Sequence, residues 1–219
     1  MRLFVVLRPP PEARAHLQER LATLGSGRGQ LRWTPTDLWH LTLAFLGEVD
    51  ERRYAELTPR LARAAGRAGE LALSLEHAGT FPRRADRARV LWVGLAGDRP
   101  AVTRLAGAVS AAARRSGIPV EDRRFSPHLT LARARPSGGV DVTSIVRGLS
   151  AYAGPPWAAT ELELVRSHLG SSVRHEILAR WALGKGAHPG DPAAGLVAPA
   201  PDVHRGPADD RCAQGLLNP

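Results

Sequence analysis

The 219-residue chain contains one cysteine and one methionine, and a single lysine, Lys185. One thiol, Cys212, cannot close an internal disulfide or build a cysteine-lined metal cage. No apolar run approaches the roughly 18 residues that a membrane-spanning helix needs. The opening MRLFVVLRPPPEAR is apolar over too short a stretch for a signal peptide, and no small-residue cleavage site follows it. A cytoplasmic location with no membrane contact is the expectation. Acidic residues are scarce: 21 Asp and Glu stand against 30 Lys and Arg, for a net charge of +9. With 43% hydrophobic and 23% charged residues, a wholly disordered chain, a collagen and a coiled coil are excluded. The length suffices to bury a sizeable core, as one large domain or two small lobes.

What is abundant is arginine. Arginine with Ala, Gly and Pro is also what a GC-rich genome produces, so the residue type alone says little. The sign of the charge survives that objection, because such a genome does not prevent the use of more acids. A basic field attracts polyanions such as nucleic acid. The stretch 184–219 is rich in Gly, Pro and Ala and has no helical or strand period, which predicts a disordered tail. It carries three cations and four carboxylates, net −1, so residues 1–183 hold +10. The basic character belongs to the folded part.

Patterning predicts strands over 2–7, 40–46, 71–77, 89–95 and 125–132, and a final strand pair over 161–166 and 173–181 around Gly170-Ser171-Ser172. Helices are expected on Ala13, Leu17, Leu21 and Leu24, closed by Gly25. Others are expected after Asp50, after Asp98 with closure by Gly117, and after Asp141.

The strongest pattern is an internal repeat. HLTLA occurs at His40 and again at His128, an offset of 88. Arg2-Leu3-Phe4-Val5-Val6 is echoed by Arg89-Val90-Leu91-Trp92-Val93, an offset of 87. Each echo is followed by a helix ending in glycine and then by the pentad. Two strand–helix–strand units in matched register point to a duplication with pseudo-twofold symmetry, two lobes facing each other.

On a strand, alternate side chains share a face. His40 and Thr42 therefore oppose Leu41, Leu43 and Phe45, and His128 and Thr130 oppose Leu129 and Leu131. Each lobe would bury its leucines and present a His–Thr pair to a common cleft. Two imidazoles can divide the work of general base and general acid near neutral pH. Two threonine hydroxyls can donate to a phosphate between them. A strained phosphodiester such as a ribose cyclic phosphate needs little more, and neither metal nor cofactor is expected. A lone His in an apolar strand is commonly a hydrogen-bonded core or edge residue; the duplication is what favours chemistry. A zinc site is disfavoured, since His-x-Thr offers one ligand per strand and HExxH is absent. His16, His188 and His204 receive no role. His77, His168 and His175 are read as structural.

Six segments carry a family resemblance: RLFVVL at Arg2, LRWTPTDLWHLTLAFLGEV from Leu31, GTFPR at Gly79, RVLWVGL at Arg89, FSPHLTLAR at Phe125 and LVRSHLGSSVRHEILARWAL from Leu164. Over Met1 to about Leu183 the sequence resembles the two-histidine phosphoesterase superfamily. Within it, the chain is similar to the RNA 2′,3′-cyclic phosphodiesterases, also called 2′-5′ RNA ligases. The resemblance implies a bilobal α+β fold, each lobe an antiparallel sheet backed by helices, with the active-site cleft between lobes. It implies hydrolysis of a terminal ribose 2′,3′-cyclic phosphate on RNA 3′ ends to a 2′-phosphate, by a monomer. By position, His40 would protonate the leaving 3′-oxygen, His128 would activate water, and Thr42 and Thr130 would hold the phosphate. Sequence chemistry alone does not choose which histidine is the acid.

Arg133 corresponds to a family arginine that supports the phosphate. Strand parity sets it opposite His128, so it reaches the cleft only if the strand ends or bulges near Ala132. Trp33 could stack on a terminal base or pack in the core; Phe45 is expected in the core. The final hairpin departs from relatives, which usually have a longer turn and an aromatic near His175, so substrate preference is open. Two rival readings remain: a phosphodiesterase acting on another cyclic phosphate, such as a nucleotide 1″,2″-cyclic phosphate, and a non-catalytic RNA-binding module. No P-loop is present, so any ligation would have to use the energy of the cyclic phosphate itself.

Overall fold

The computed structural model describes residues 1–24, 29–121, 124–135, 138–168, 170 and 173–184. The tail beyond Gly184 lies outside the described residues, as do Gly25 and Ser171-Ser172 of the final turn.

In chain order the elements are β1 (Arg2–Leu7), α1 (Pro11–Thr23), β2 (Leu31–Trp33), β3 (Leu41–Glu48), α2 (Glu51–Gly66), β4 (Leu71–Phe81), β5 (Val90–Gly97), α3 (Arg99–Arg115), β6 (Leu129–Ala134), α4 (Thr143–Gly148), β7 (Trp157–Ala159), β8 (Glu161–His168) and β9 (Arg174–Ala182). The short strands β2 and β7 have too few residues for a period to appear in the sequence.

Asp50 caps α2 by accepting from the Arg53 N–H at 2.8 Å. Asp98 stands at the N-cap of α3 but does not cap it. Its carboxylate accepts from the backbone N–H of Ala72 at 2.8 Å and ties the helix start to β4. Gly117 closes α3 at φ +70°. Asp141 accepts from the Thr143 N–H at the start of α4.

All strand pairs are antiparallel, in the order β7-β4-β5-β6-β3-β1-β8-β9, with β2 added to β6. From the middle outwards the halves match: β3-β1-β8-β9 against β6-β5-β4-β7. They are joined at one rung, Leu41 opposite Leu129. Helices α2 and α3 pack on each other and on β9 and β3; α1 and α4 pack on β4. Each half is thus backed by one helix from either repeat.

Burial follows from this layering. Leu3, Val5 and Leu7 of β1 and Leu91, Val93 and Leu95 of β5 join Leu57, Leu61, Val102, Leu105 and Val109 of the helices in one large core. The alternate residues Phe4 and Val6 turn to the other, open face, where they form a small cluster with Val165 and Ile177.

The register corrects the sequence echo by one residue. Val6 lies opposite Thr42, and Trp92 lies opposite Thr130. The structural equivalent of Val6 is therefore Trp92, an offset of 86. An offset of 87 matches residues on opposite faces, because a one-residue slip inverts every side chain.

Candidate active site

Both histidines sit one residue before their strands, which begin at Leu41 and Leu129. The expected strand over 125–132 is shorter because Pro127 has no N–H to give a ladder. Each imidazole bends back to the carbonyl two residues upstream: His40 Nδ1 to Leu38 O at 2.6 Å, His128 Nδ1 to Ser126 O at 2.8 Å. A carbonyl only accepts, so Nδ1 carries the proton in both rings. Nε2 of each ring has no hydrogen-bond partner among the described residues.

The Leu41–Leu129 rung brings the pairs together. Extending its antiparallel register one residue each way sets His40 level with Thr130, and Thr42 level with His128. All four alternate with the buried leucines and so share the open face. The histidines are diagonal neighbours, a relation that spans about 7–8 Å across an antiparallel pair, enough to admit a phosphate. Among the described residues neither threonine hydroxyl has a hydrogen-bond partner, although both side chains are only half-buried.

Two bulges settle Arg133 and Phe45. Between the Val5–Ala44 and Val6–Thr42 pairs, Leu43 is unmatched; between Leu91–Ala132 and Trp92–Thr130, Leu131 is unmatched. Each bulge shifts parity. Leu43 and Ala44 are both buried, as are Leu131 and Ala132, and the next residue turns outward. Arg133 thereby comes to the face of His128, whose pKa it helps to lower. Phe45, the same position in the other copy, is 65% exposed and sits 6.1 Å from Phe4. The expectation that Phe45 lies in the core is overturned by the bulge. Trp33 lies opposite buried Ala132 and packs against the main core, so of its two readings the core one stands. Its neighbour Arg32 faces the same way as Arg133, which it pairs.

Sequence reasoning misses several residues here. It leaves His175 a structural role, yet the ring is 5.4 Å from that of His40 and 4.9 Å from Phe4, edge-on to both. Arg8, just after β1, donates from Nε to Glu163 at 3.0 Å and from Nη1 to the Asp37 carbonyl at 2.9 Å. Glu163 is only 5% exposed and also accepts from Arg180 Nε at 3.2 Å. In the other half, Phe81 and Trp92 pack on His128 at 5.0 and 6.1 Å. Strand parity on β8 and β9 is the one signal that could have singled out His175 and Glu163. His77 is also on this face, 6.2 Å from Trp92, whereas His168 turns aside to bond Glu176 at 2.7 Å.

The electrostatics are cationic. The His40 pKa falls from 6.5 to about 4, chiefly because its ring is buried. The Leu38 carbonyl opposes that fall, and His175, Arg8 and His128 add to it. His128 is lowered mainly by burial, with Arg133 contributing. His175 is lowered by burial and by Arg8. With no ligand, both histidines are mainly neutral at pH 7. Among the described residues no three His, Cys, Asp or Glu side chains gather closely enough to hold a metal ion. No helix there is long and apolar enough to cross a membrane.

Comparison with known proteins agrees with the duplication. A family model described as LigT like phosphoesterase matches the chain twice, at residues 7–92 and 93–175. A protein named RNA 2′,3′-cyclic phosphodiesterase from Escherichia coli K12 is 33% identical over 185 residues, covering 83% of this chain and 96% of that protein. One of the same name from Aeropyrum pernix is 31% identical over 152 residues, 69% of this chain and 82% of its own. The chain spans 47% of a longer relative of that name from Geobacillus stearothermophilus. Among solved structures, E. coli LigT complexed with 3′-AMP superposes with a TM-score of 0.68 at 30% identity, over 83% of this chain and 97% of that one. TT0787 of Thermus thermophilus gives 0.69 at 28%, over 86% and 100%. With a model matched over most of its length in two successive copies, the chain belongs to the LigT-like phosphoesterase family.

Proposed function

We propose that the open face hydrolyses the 2′,3′-cyclic phosphate at RNA 3′ ends and leaves the phosphate on the 2′-oxygen. The observation that carries this is the pair of imidazoles, each with Nδ1–H fixed on a backbone carbonyl, set diagonally across two threonine hydroxyls, with neither Nε2 nor either hydroxyl partnered among the described residues. Relatives named RNA 2′,3′-cyclic phosphodiesterase support the substrate class.

In the proposed reaction Thr42 and Thr130 donate to the non-bridging phosphate oxygens, and Arg133 balances their charge. A water oxygen attacks phosphorus in line with the 3′-oxygen. Its proton passes to Nε2 of neutral His128. The P–O3′ bond breaks, and Nε2–H of protonated His40 gives its proton to the departing oxygen. The resemblance, not the geometry, assigns these two roles. His40 is neutral in the empty groove, so it takes up a proton from solvent as substrate binds: an anionic phosphate favours the charged imidazole beside it. Phe45 offers an exposed ring next to Phe4 on which the terminal base can stack. No metal or cofactor takes part.

The test is turnover of an oligonucleotide ending in a 2′,3′-cyclic phosphate, in excess chelator, with the product isomers resolved. A 2′-phosphate product is expected. A 3′-phosphate product, or activity that vanishes with chelator and returns with zinc, refutes the proposal.

A further inference from the structure

The open face continues past His128 into a cavity of about 440 Å³ that the reaction does not use. Its floor exists because two glycines lie on this face. A Cβ at Gly79 would run into the Trp92 indole, and one at Gly94 would come within 2.8 Å of Nε2 of His77. The two rings therefore lie down over bare backbone and stand 6.2 Å apart, with Phe81 5.5 Å from Trp92 on the other side. His77 is held with φ +34°, the one positive φ among described non-glycine residues, at a bulge in β4. Such strain persists only when its surroundings fix it, and it clusters at binding sites. Ser126 and Pro127, which carry His128, form the wall toward the proposed site.

Arg83 and Arg99 also line the cavity. Both are exposed, and among the described residues neither guanidinium has an ion-pair or hydrogen-bond partner. Aromatic surface flanked by uncommitted guanidiniums is what a single-stranded nucleotide unit requires: a face for the base and cations for the phosphate. A cyclic phosphate held between the threonines leaves only water to enter on the His128 side, so the reaction gives this space no occupant.

We propose that this cavity is a subsite for the penultimate nucleotide of the RNA, its base against Trp92 and His77 and its phosphate at Arg83 and Arg99. The inference rests on the reading of the groove as an RNA 3′-end phosphodiesterase. It adds that the strand crosses from one half of the molecule to the other, and that the protein measures more than the terminal ribose.

The experiment compares kcat/KM for adenosine 2′,3′-cyclic phosphate and for the dinucleotide ApA ending in a 2′,3′-cyclic phosphate. The wild type is set beside the Arg83→Ala/Arg99→Ala protein and His77→Ala. Wild type should prefer the dinucleotide by about tenfold or more, the worth of one or two charge-assisted contacts. The double variant should lose that preference while turning over the mononucleotide as before, and its salt slope for the dinucleotide should flatten by about 0.7 for each phosphate no longer neutralised. His77→Ala should lose part of the preference. A double variant that keeps the preference overturns the subsite, and so does an equal loss on both substrates. Wild-type activity on both substrates without preference overturns the subsite alone. Wild-type inactivity on both overturns the parent reading and the subsite with it.

Discussion

The two halves of the sheet share a backbone and differ in what they hang on it. Each has the same strand order, the same bulge after its His–Thr pair and the same carbonyl tether on its histidine. The residue after the bulge is Phe45 in one half and Arg133 in the other. Opposite Val6 stands Glu163, bridged to Arg8 and Arg180; opposite its equivalent, Trp92, stands Gly79. For the proposed reaction, the symmetric parts suit a symmetric requirement, one proton removed and one delivered. The asymmetric parts suit the proposed substrate, with the terminal nucleoside on one side of phosphorus and, on the other, water beside the proposed nucleotide subsite. One half keeps a charged triad and an exposed phenyl ring, the other an indole on glycine and a basic rim.

The largest way to break the comparison is to remove the shared part. His40→Ala and His128→Ala should each lower turnover about 10²–10⁴-fold. The double variant should lose far less than the product, because the two residues act as a unit. The check is single-turnover hydrolysis beside an RNA titration at fixed salt. Binding should change little, since the threonines and arginines remain. A single variant that cleaves at the wild-type rate would refute the two-histidine mechanism, whereas a wild-type protein that binds RNA without cleaving it would favour a non-catalytic RNA-binding role.

Next come the unshared floors. Glu163→Ala removes the carboxylate that Arg8 and Arg180 share and, among the described residues, leaves Arg180 only Glu161 at 3.8 Å, and removing one partner of a buried pair costs about 3–5 kcal/mol. The exposure of Arg180 puts this variant at the low end, about 3 kcal/mol by urea unfolding. Gly79→Ala drives a methyl group into Trp92 and should cost about 1–3 kcal/mol as overpacking. The two variants should differ in kind. The first should disturb His40 through Arg8, the second His128 through the indole, visible as separate imidazole shifts by NMR. Equal perturbation of both histidines by either variant would mean that the halves are not independent.

These differences are only partly legible in the sequence. The duplicated HLTLA, the helix periods, the Asp50 cap and the Gly117 stop are local signals, and the structure bears them out. The bulges are hidden because Leu43-Ala44-Phe45-Leu46 is apolar throughout, and an apolar run does not reveal where alternation slips. The charge at Arg133 exposes the problem in the second copy, since a guanidinium on the core face has no partner there. The echo of β1 in β5 is off by one for the same reason: in RLFVV and RVLWV nearly every residue is apolar, and register is settled only by cross-strand pairing. His175 and Glu163 carry only a parity signal, and parity does not tell which face meets the histidines until β8 is paired with β1 and β9.

The smallest expected effect concerns pH. The free groove keeps His40 depressed to about 4, with Arg8, His175 and His128 all adding to the effect of burial. A phosphate anion seated between Thr42 and Thr130 opposes those cations and raises the pKa of the adjacent imidazole. The acid must be protonated to work, so activity is lost as pH climbs through the pKa of that histidine. kcat/KM reports the free protein and kcat the complex. The alkaline limb of kcat should therefore lie at higher pH than that of kcat/KM, and both belong to the coupled pair rather than to one ring. Binding of sulfate, a dianion with no titrating proton at pH 7, should take up protons, measurable as a buffer-dependent heat in titration calorimetry. Arg133→Ala sharpens the contrast between the halves. Removing that cation should raise the His128 pKa and leave His40 where it is, because Arg133 acts on His128 and not on His40. The expected activity loss for Arg133→Ala is about tenfold, one charge-assisted contact. Coincident alkaline limbs, together with sulfate binding that moves no protons, would show that His40 is not charged by its substrate and would reverse the assignment of acid and base.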